Sequence, residues 1–171
     1  MGGEGYVKIR TLVIALVLCA MIGTKAHSLG LGVQFNVTAG GDFLAPGLSL
    51  VICPTEITRL AINWYFNFDD TNIIGLTFDI CPLTLPISTF RTGSFNFTLG
   101  AGFFADMVFS SDFGFNGGVR FPVGFNLKLG QRAFVIYTHV APSFGLRFIP
   151  DFGFHSPFFP IAIGARLWFR S

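Results

Sequence analysis

The chain has 171 residues, enough for one domain, and combines 51% hydrophobic with only 12% charged residues. Its formal charge of +2 comes from Lys8, Arg10 and Lys25 against Glu4; from residue 29 onward eight basic residues meet eight acidic ones, which excludes a basic nucleic-acid surface. Beyond residue 28 no apolar run reaches the ~18 to 20 residues of a membrane helix, while 23 Phe and 21 Gly favour pleated strands over helices.

Residues 1–28 have the form of a secretory signal peptide. Lys8 and Arg10 precede an apolar run from Leu12 to Ile22, and Ala26-His27-Ser28 supplies a small-x-small cleavage site. Cleavage is expected after Ser28, leaving one domain over 29–171. The apolar run is too short for a retained anchor, and Leu18 is too large for the position before a lipidated Cys19.

Eight segments then alternate large apolar with small or polar residues, the period of a strand with two unlike faces. In the first, Leu29, Leu31, Val33, Phe35 and Val37 oppose Gly30, Gly32, Gln34, Asn36 and Thr38. The second, over 48–53, alternates poorly. The third sets Leu60, Ile62, Trp64, Phe66 and Phe68 against Ala61, Asn63, Tyr65 and Asn67, and Asp69-Asp70 closes it. In the fourth Ile74, Leu76, Phe78 and Ile80 oppose Gly75, Thr77 and Asp79; in the fifth Phe95, Phe97, Leu99, Ala101 and Phe103 oppose Ser94, Asn96, Thr98, Gly100 and Gly102. The sixth, over 118–129, carries Val119, Phe121, Val123, Phe125 and Leu127 opposite Arg120, Pro122, Gly124, Asn126 and Lys128. The seventh runs from 133 to about 141 and the eighth from 161 to 169.

These segments predict an all-β fold, an eight-stranded antiparallel up-and-down transmembrane β-barrel, with the apolar set toward lipid and the small polar set toward the lumen. Pro122 and Pro142 lack a ladder donor, so a bulge or distortion is expected at each. With both termini in the periplasm, links at 39–47, 69–71, 105–116 and 144–159 lie outside and those at 54–58, 82–92 and 130–132 inside. A soluble lipocalin-like barrel has the same period with the faces exchanged, but its interior is too small for so many large side chains.

This parity directs Asp79, Arg120, Lys128 and Arg166 into the lumen, with Tyr65 and His139 in similar registers. Two readings follow. Asp79 pairs with Arg120 or Arg166 and plugs a narrow interior, or Arg120, Lys128 and Arg166 form a basic constriction that selects small anions. His139 has no second His or Cys at ligand spacing, so it is read as a hydrogen-bonded filler and no metal or other cofactor is expected.

Ile52-Cys53-Pro54 and Ile80-Cys81-Pro82 form a matched pair, and Cys53 and Cys81 are a candidate disulfide in an oxidising compartment. They stand two strand spacings apart, ~9 to 10 Å, which a bridge spans only if the strand ends bend together. Asp-Phe-Gly-Phe occurs at 112–115 and again at 151–154. Phe113, Phe115, Phe152 and Phe154 in these external links form either an interfacial aromatic girdle or a greasy contact surface. No nucleophile and base stand in a recognisable arrangement, and the Gly100-x-Gly102-x-x-Ala105 string lacks the helix and acidic residue of a dinucleotide site, so an enzyme is not expected.

Gly118-Val119-Arg120-Phe121-Pro122-Val123-Gly124, followed by 134–142, resembles a strand pair of small spirochaetal outer-membrane barrels, a group similar to the OmpA and OmpW transmembrane barrels. Gly164-x-x-Leu167-x-Phe169 resembles the C-terminal signal by which such proteins are recognised for assembly, although Ala162 holds the usual polar position and Arg170-Ser171 extend past the aromatic residue. The resemblance implies an outer-membrane location, with membrane lipid and the assembly machinery as partners. It also implies one of two roles: a narrow channel or transporter for small or hydrophobic solutes, or a non-transporting surface barrel that binds host proteins through its external loops.

Overall fold

Along nearly every strand the buried alternates are mostly small or polar residues and the exposed alternates are the large apolar ones, the reverse of a water-soluble core. The computed structural model describes residues 28–40, 45–66, 72–110, 112–130 and 133–170. Its strands are β1 (Ser28–Gly40), β2 (Ala45–Cys53), β3 (Thr58–Phe66), β4 (Asn72–Phe90), β5 (Gly93–Phe109), β6 (Phe113–Arg120), β7 (Val123–Leu129), β8 (Phe134–Val140), β9 (Ser143–Ile149) and β10 (Gly153–Arg170). Every pairing is antiparallel, and β1 pairs with β10 from Ser28↔Arg170 to Gly40↔Phe158, which closes the sheet into a ring without edges along this seam.

The ten strands make eight wall elements. The lower half of β5 pairs with β7 and its upper half with β6; β10 divides in the same way between β8 and β9. The breaks fall at Phe121-Pro122 and Ala141-Pro142, the two expected distortions, and the wall is stitched across them by bonds from Gly100 N to the Pro122 carbonyl (2.9 Å), Phe121 N to the Pro142 carbonyl (2.9 Å) and Ala141 N to the Pro160 carbonyl (2.9 Å). Proline interrupts the ladder here without ending the strand.

The faces follow the alternation. Asn36, Asn63 and Asp79 are buried, whereas Val33 is 64% and Phe103 63% exposed. A lipocalin-like arrangement is thereby overturned: an exterior of Leu, Ile, Val and Phe over a polar interior is the side-chain distribution of a barrel solvated by lipid.

Several element ends differ from the sequence expectation. The supposed inner link at 82–92 is a strand hairpin, with β4 continuing to Phe90 and β5 starting at Gly93. Pro82 and Pro86 are tolerated because β3 pairs with β4 only as far as Ile80, with one further bond from Cys81 N to the Ile57 carbonyl; from Pro82 on, one edge of β4 has no strand beside it among the described residues. The supposed external loops at 105–116 and 144–159 are largely strand as well, since β5 runs to Phe109, β6 begins at Phe113, and β9 and β10 are joined through 150–152. β2 begins at Ala45, three residues before the expected start. Ser28 opens β1; the rest of the expected signal peptide, Cys19 and the Asp69-Asp70 turn lie outside the described residues.

Candidate functional site

The lumen is the site. Alternate inward positions on β3, β4, β6, β8 and β10 bring Arg59, Asp79, Arg120, His139 and Arg166 into its middle, all buried. Asp79 accepts from Arg59 Nε at 3.1 Å and Nη2 at 2.8 Å. Arg120 Nε stands 3.1 Å from the other carboxylate oxygen, an ionic contact whose angle is not that of a hydrogen bond. A guanidinium can only donate, so His139 accepts through Nδ1 from Arg59 Nη1 at 3.1 Å; its Nε2 lies 3.4 Å from Arg120 Nη2. One carboxylate thus ties the arginines of β3 and β6 together along the inner wall.

Arg166 is outside that knot. Its guanidinium lies 5.2 Å from the Tyr137 ring centroid and 5.4 Å from that of Trp168, Nη1 donates to Cys53 Sγ at 3.3 Å, and Nε is buried without a partner. Among the described residues no carboxylate pairs with it. Lys128 is also apart from Asp79: it sits at the lumen mouth with Glu56 Oε2 at 3.0 Å.

A chain of side-chain bonds runs across β8, β1, β2 and β3. Tyr137 donates to Gln34 (3.1 Å), Gln34 to Asn36 (2.7 Å), Asn36 to Ser49, and Ser49 to Asn63 (2.6 Å). The lumen residues are therefore held by one another, which suits a narrow interior.

The two ends of the lumen are unlike. On the side of the termini a cavity of about 620 Å³ is lined by Arg59, Lys128, His139, Arg166 and a fringe of Thr, Ser and Asn side chains. At the far end Tyr65, Ile73 and Ala45 pack together, Phe104 meets Phe158 edge to face at 5.0 Å, and the gap beside Asp106 and Asn116 measures about 20 Å³. That gap has room for about one water molecule.

Tyr65 thus belongs to the far plug and not to the charge cluster. Arg59, the residue that grips Asp79 most closely, lies just before Leu60, where the alternation of the third segment starts, whereas β3 begins at Thr58; the parity Ala61, Asn63, Tyr65 carried back to 59 finds it. Cys53 and Cys81 are both free thiols, which corrects the candidate disulfide. β3 runs between their strands and places Arg59 opposite Asp79 at that level, so the strand ends do not bend together. Phe113, Phe115 and Phe154 lie on strands and Phe152 in the 150–152 turn, so only Phe152 is a loop residue. Leu167 and Phe169 face outward; Gly164 faces inward, where a Cβ would lie 2.6 Å from the Tyr137 hydroxyl. Among the described residues no group of three His, Cys, Asp or Glu could hold a metal ion.

No family model matches this chain, and no curated protein matches it. Among solved structures it is similar to the N-terminal β-barrel domain of Pseudomonas aeruginosa OprF, with 13% identity, a TM-score of 0.39, and coverage of 82% of this chain and 97% of that one. It is also similar to Neisserial surface protein A, with 10% identity, a TM-score of 0.39, and coverage of 82% and 95%.

Proposed function

We propose that this chain is an integral outer-membrane barrel that serves as a narrow channel for small polar solutes, held shut at its centre. Single-chain closed barrels with a lipid-compatible exterior are the outer-membrane type, and such a protein meets membrane lipid and the machinery that assembles barrels. The observation that carries the channel reading is the polar cavity of about 620 Å³ that ends on the Arg59–Asp79–Arg120 knot. A solute that enters from the side of the termini meets hydrogen-bonding groups all the way to a charged constriction, the arrangement by which a pore selects. A polar lumen favours hydrophilic solutes over hydrophobic ones. No catalytic step and no cofactor belong to this reading.

The test is single-channel recording in planar bilayers. The wild type is expected to be mostly closed, and Arg59→Gln combined with Asp79→Asn, which removes the ion pair and leaves polar side chains in both places, is expected to open more often. A folded barrel that passes no current in either form overturns the channel.

One observation favours the surface-binding alternative. Phe152 is 74% and Phe154 92% exposed at the far end, and such aromatic surface at a membrane face is suited to contact with another protein. Capture of a host protein lost on replacing both with Ser would support it.

A further inference from the structure

The open half of the lumen carries more positive charge than its structure uses. Arg59, Arg91, Lys128 and Arg166 line it against a single carboxylate, that of Glu56, and Asp79 lies behind Arg59. Arg59 is spent on Asp79 and His139, and Lys128 is matched by Glu56. Arg166 is left. It is more than nine-tenths buried, has no carboxylate among the described residues, and keeps a buried Nε without a hydrogen-bond partner. A buried guanidinium in that condition is costly unless something anionic completes it.

We propose that this cavity is a binding site for a small phosphate-bearing solute, with Arg166 as the anchoring cation. The two rings that flank the guanidinium, Tyr137 and Trp168, hold it in place without neutralising it. Arginine presents a planar fork of donors that matches phosphate oxygens, and Thr58, Thr98 and Asn126 on the walls add hydroxyl and amide groups for the remaining acceptors. The volume lies within the ~300 to 1,000 Å³ of small-molecule sites. The site requires the lumen to be open toward the termini; it does not require conduction.

Trp168 lies against the Arg166 guanidinium and so reports on it, and the other of the chain's two tryptophans, Trp64, faces outward. In Trp64→Phe protein folded in detergent, inorganic phosphate is expected to change the Trp168 emission saturably, whereas chloride at equal ionic strength does not. Arg166→Gln should weaken the effect about tenfold or more, as loss of a charge-assisted bond does. Arg147→Gln, which removes the same charge at the far end, should leave it unchanged. A phosphate response equal in Arg166→Gln and its parent overturns the site.

Should Arg166→Gln fail to fold, the wild-type barrel offers a second readout, because Cys81 lines the same cavity. An anionic thiol reagent is expected to modify Cys81, located by peptide mass, faster than a cationic reagent of similar size, and phosphate to slow it. Equal rates without protection overturn the proposal. A barrel that binds phosphate but passes no current keeps this site and loses the channel; one that conducts without binding phosphate does the reverse.

Discussion

Arg59 and Asp79 stand directly opposite each other in the β3–β4 ladder, and two nitrogens of the guanidinium donate to one carboxylate oxygen. The pair is therefore a cross-strand contact as well as a lumen contact. It fixes the register of two wall elements while Asp79 also meets Arg120 over Gly102, the residue that separates them on β5.

Removing the carboxylate should be costly, because it leaves two buried guanidiniums face to face. Asp79→Ala is expected to lose ~3 to 5 kcal/mol, measured by urea unfolding of the detergent-folded barrel or by the temperature at which its gel mobility shifts. A loss below ~1 kcal/mol, the scale of an exposed pair, would mean that the knot is solvated.

The placement of the faces is tested by a pair of charge insertions. Ile62 points outward near the middle of β3, and Ile62→Arg should cost ~2 to 4 kcal/mol when the protein is refolded into phospholipid vesicles. Thr98 lines the open cavity, so Thr98→Arg should fold with nearly the yield of the wild type. The opposite ranking would mean that the faces are exchanged.

Two glycines should respond differently to a side chain. A Cβ on Gly124 would lie 2.0 Å from the Thr138 carbonyl oxygen and 2.6 Å from the His139 Cα, so Gly124→Ala must push β7 from β8 and should cost ~1 to 3 kcal/mol. Gly130 has φ of +56° with nothing within 4 Å of a Cβ, and Gly130→Asn, a residue that accepts this backbone region, should be close to neutral. The same unfolding measurement checks both.

Cys53 and Cys81 should behave as separate thiols. Cys81 lines the open cavity, while Cys53 is fully buried beneath Arg166. A small water-soluble thiol reagent is expected to modify Cys81 in the folded barrel and Cys53 only after unfolding. A fall in free thiols under mild oxidant, with a mobility change reversed by reductant, would indicate a bond between them.

The faces of the wall were legible because the alternation is strict: a residue such as Asn63 between Ile62 and Trp64 has one orientation that leaves both neighbours in lipid. Strand ends were not. The Phe- and Gly-rich stretches at 105–116 and 144–159 read as loops, yet their backbones stay in register with neighbours distant in sequence, as Asn116 does with Arg147. Which charges meet was legible only in part, since Asp79 could equally have met Arg166 by parity. Level along the barrel decides the partner, and that depends on the stagger of each strand against the next.

The unpaired edge of β4 beyond Cys81 bears on how this chain keeps to itself. A row of free backbone groups beside the exposed Leu83, Leu85 and Ile87 is a template on which a strand from another molecule could zip. Pro82 and Pro86 each remove a donor from that segment, and irregularities between Ile80 and Leu83 and between Pro86 and Ser88 break its rhythm. Pro82 and Pro86 are thus this segment's protection against sheet-to-sheet aggregation.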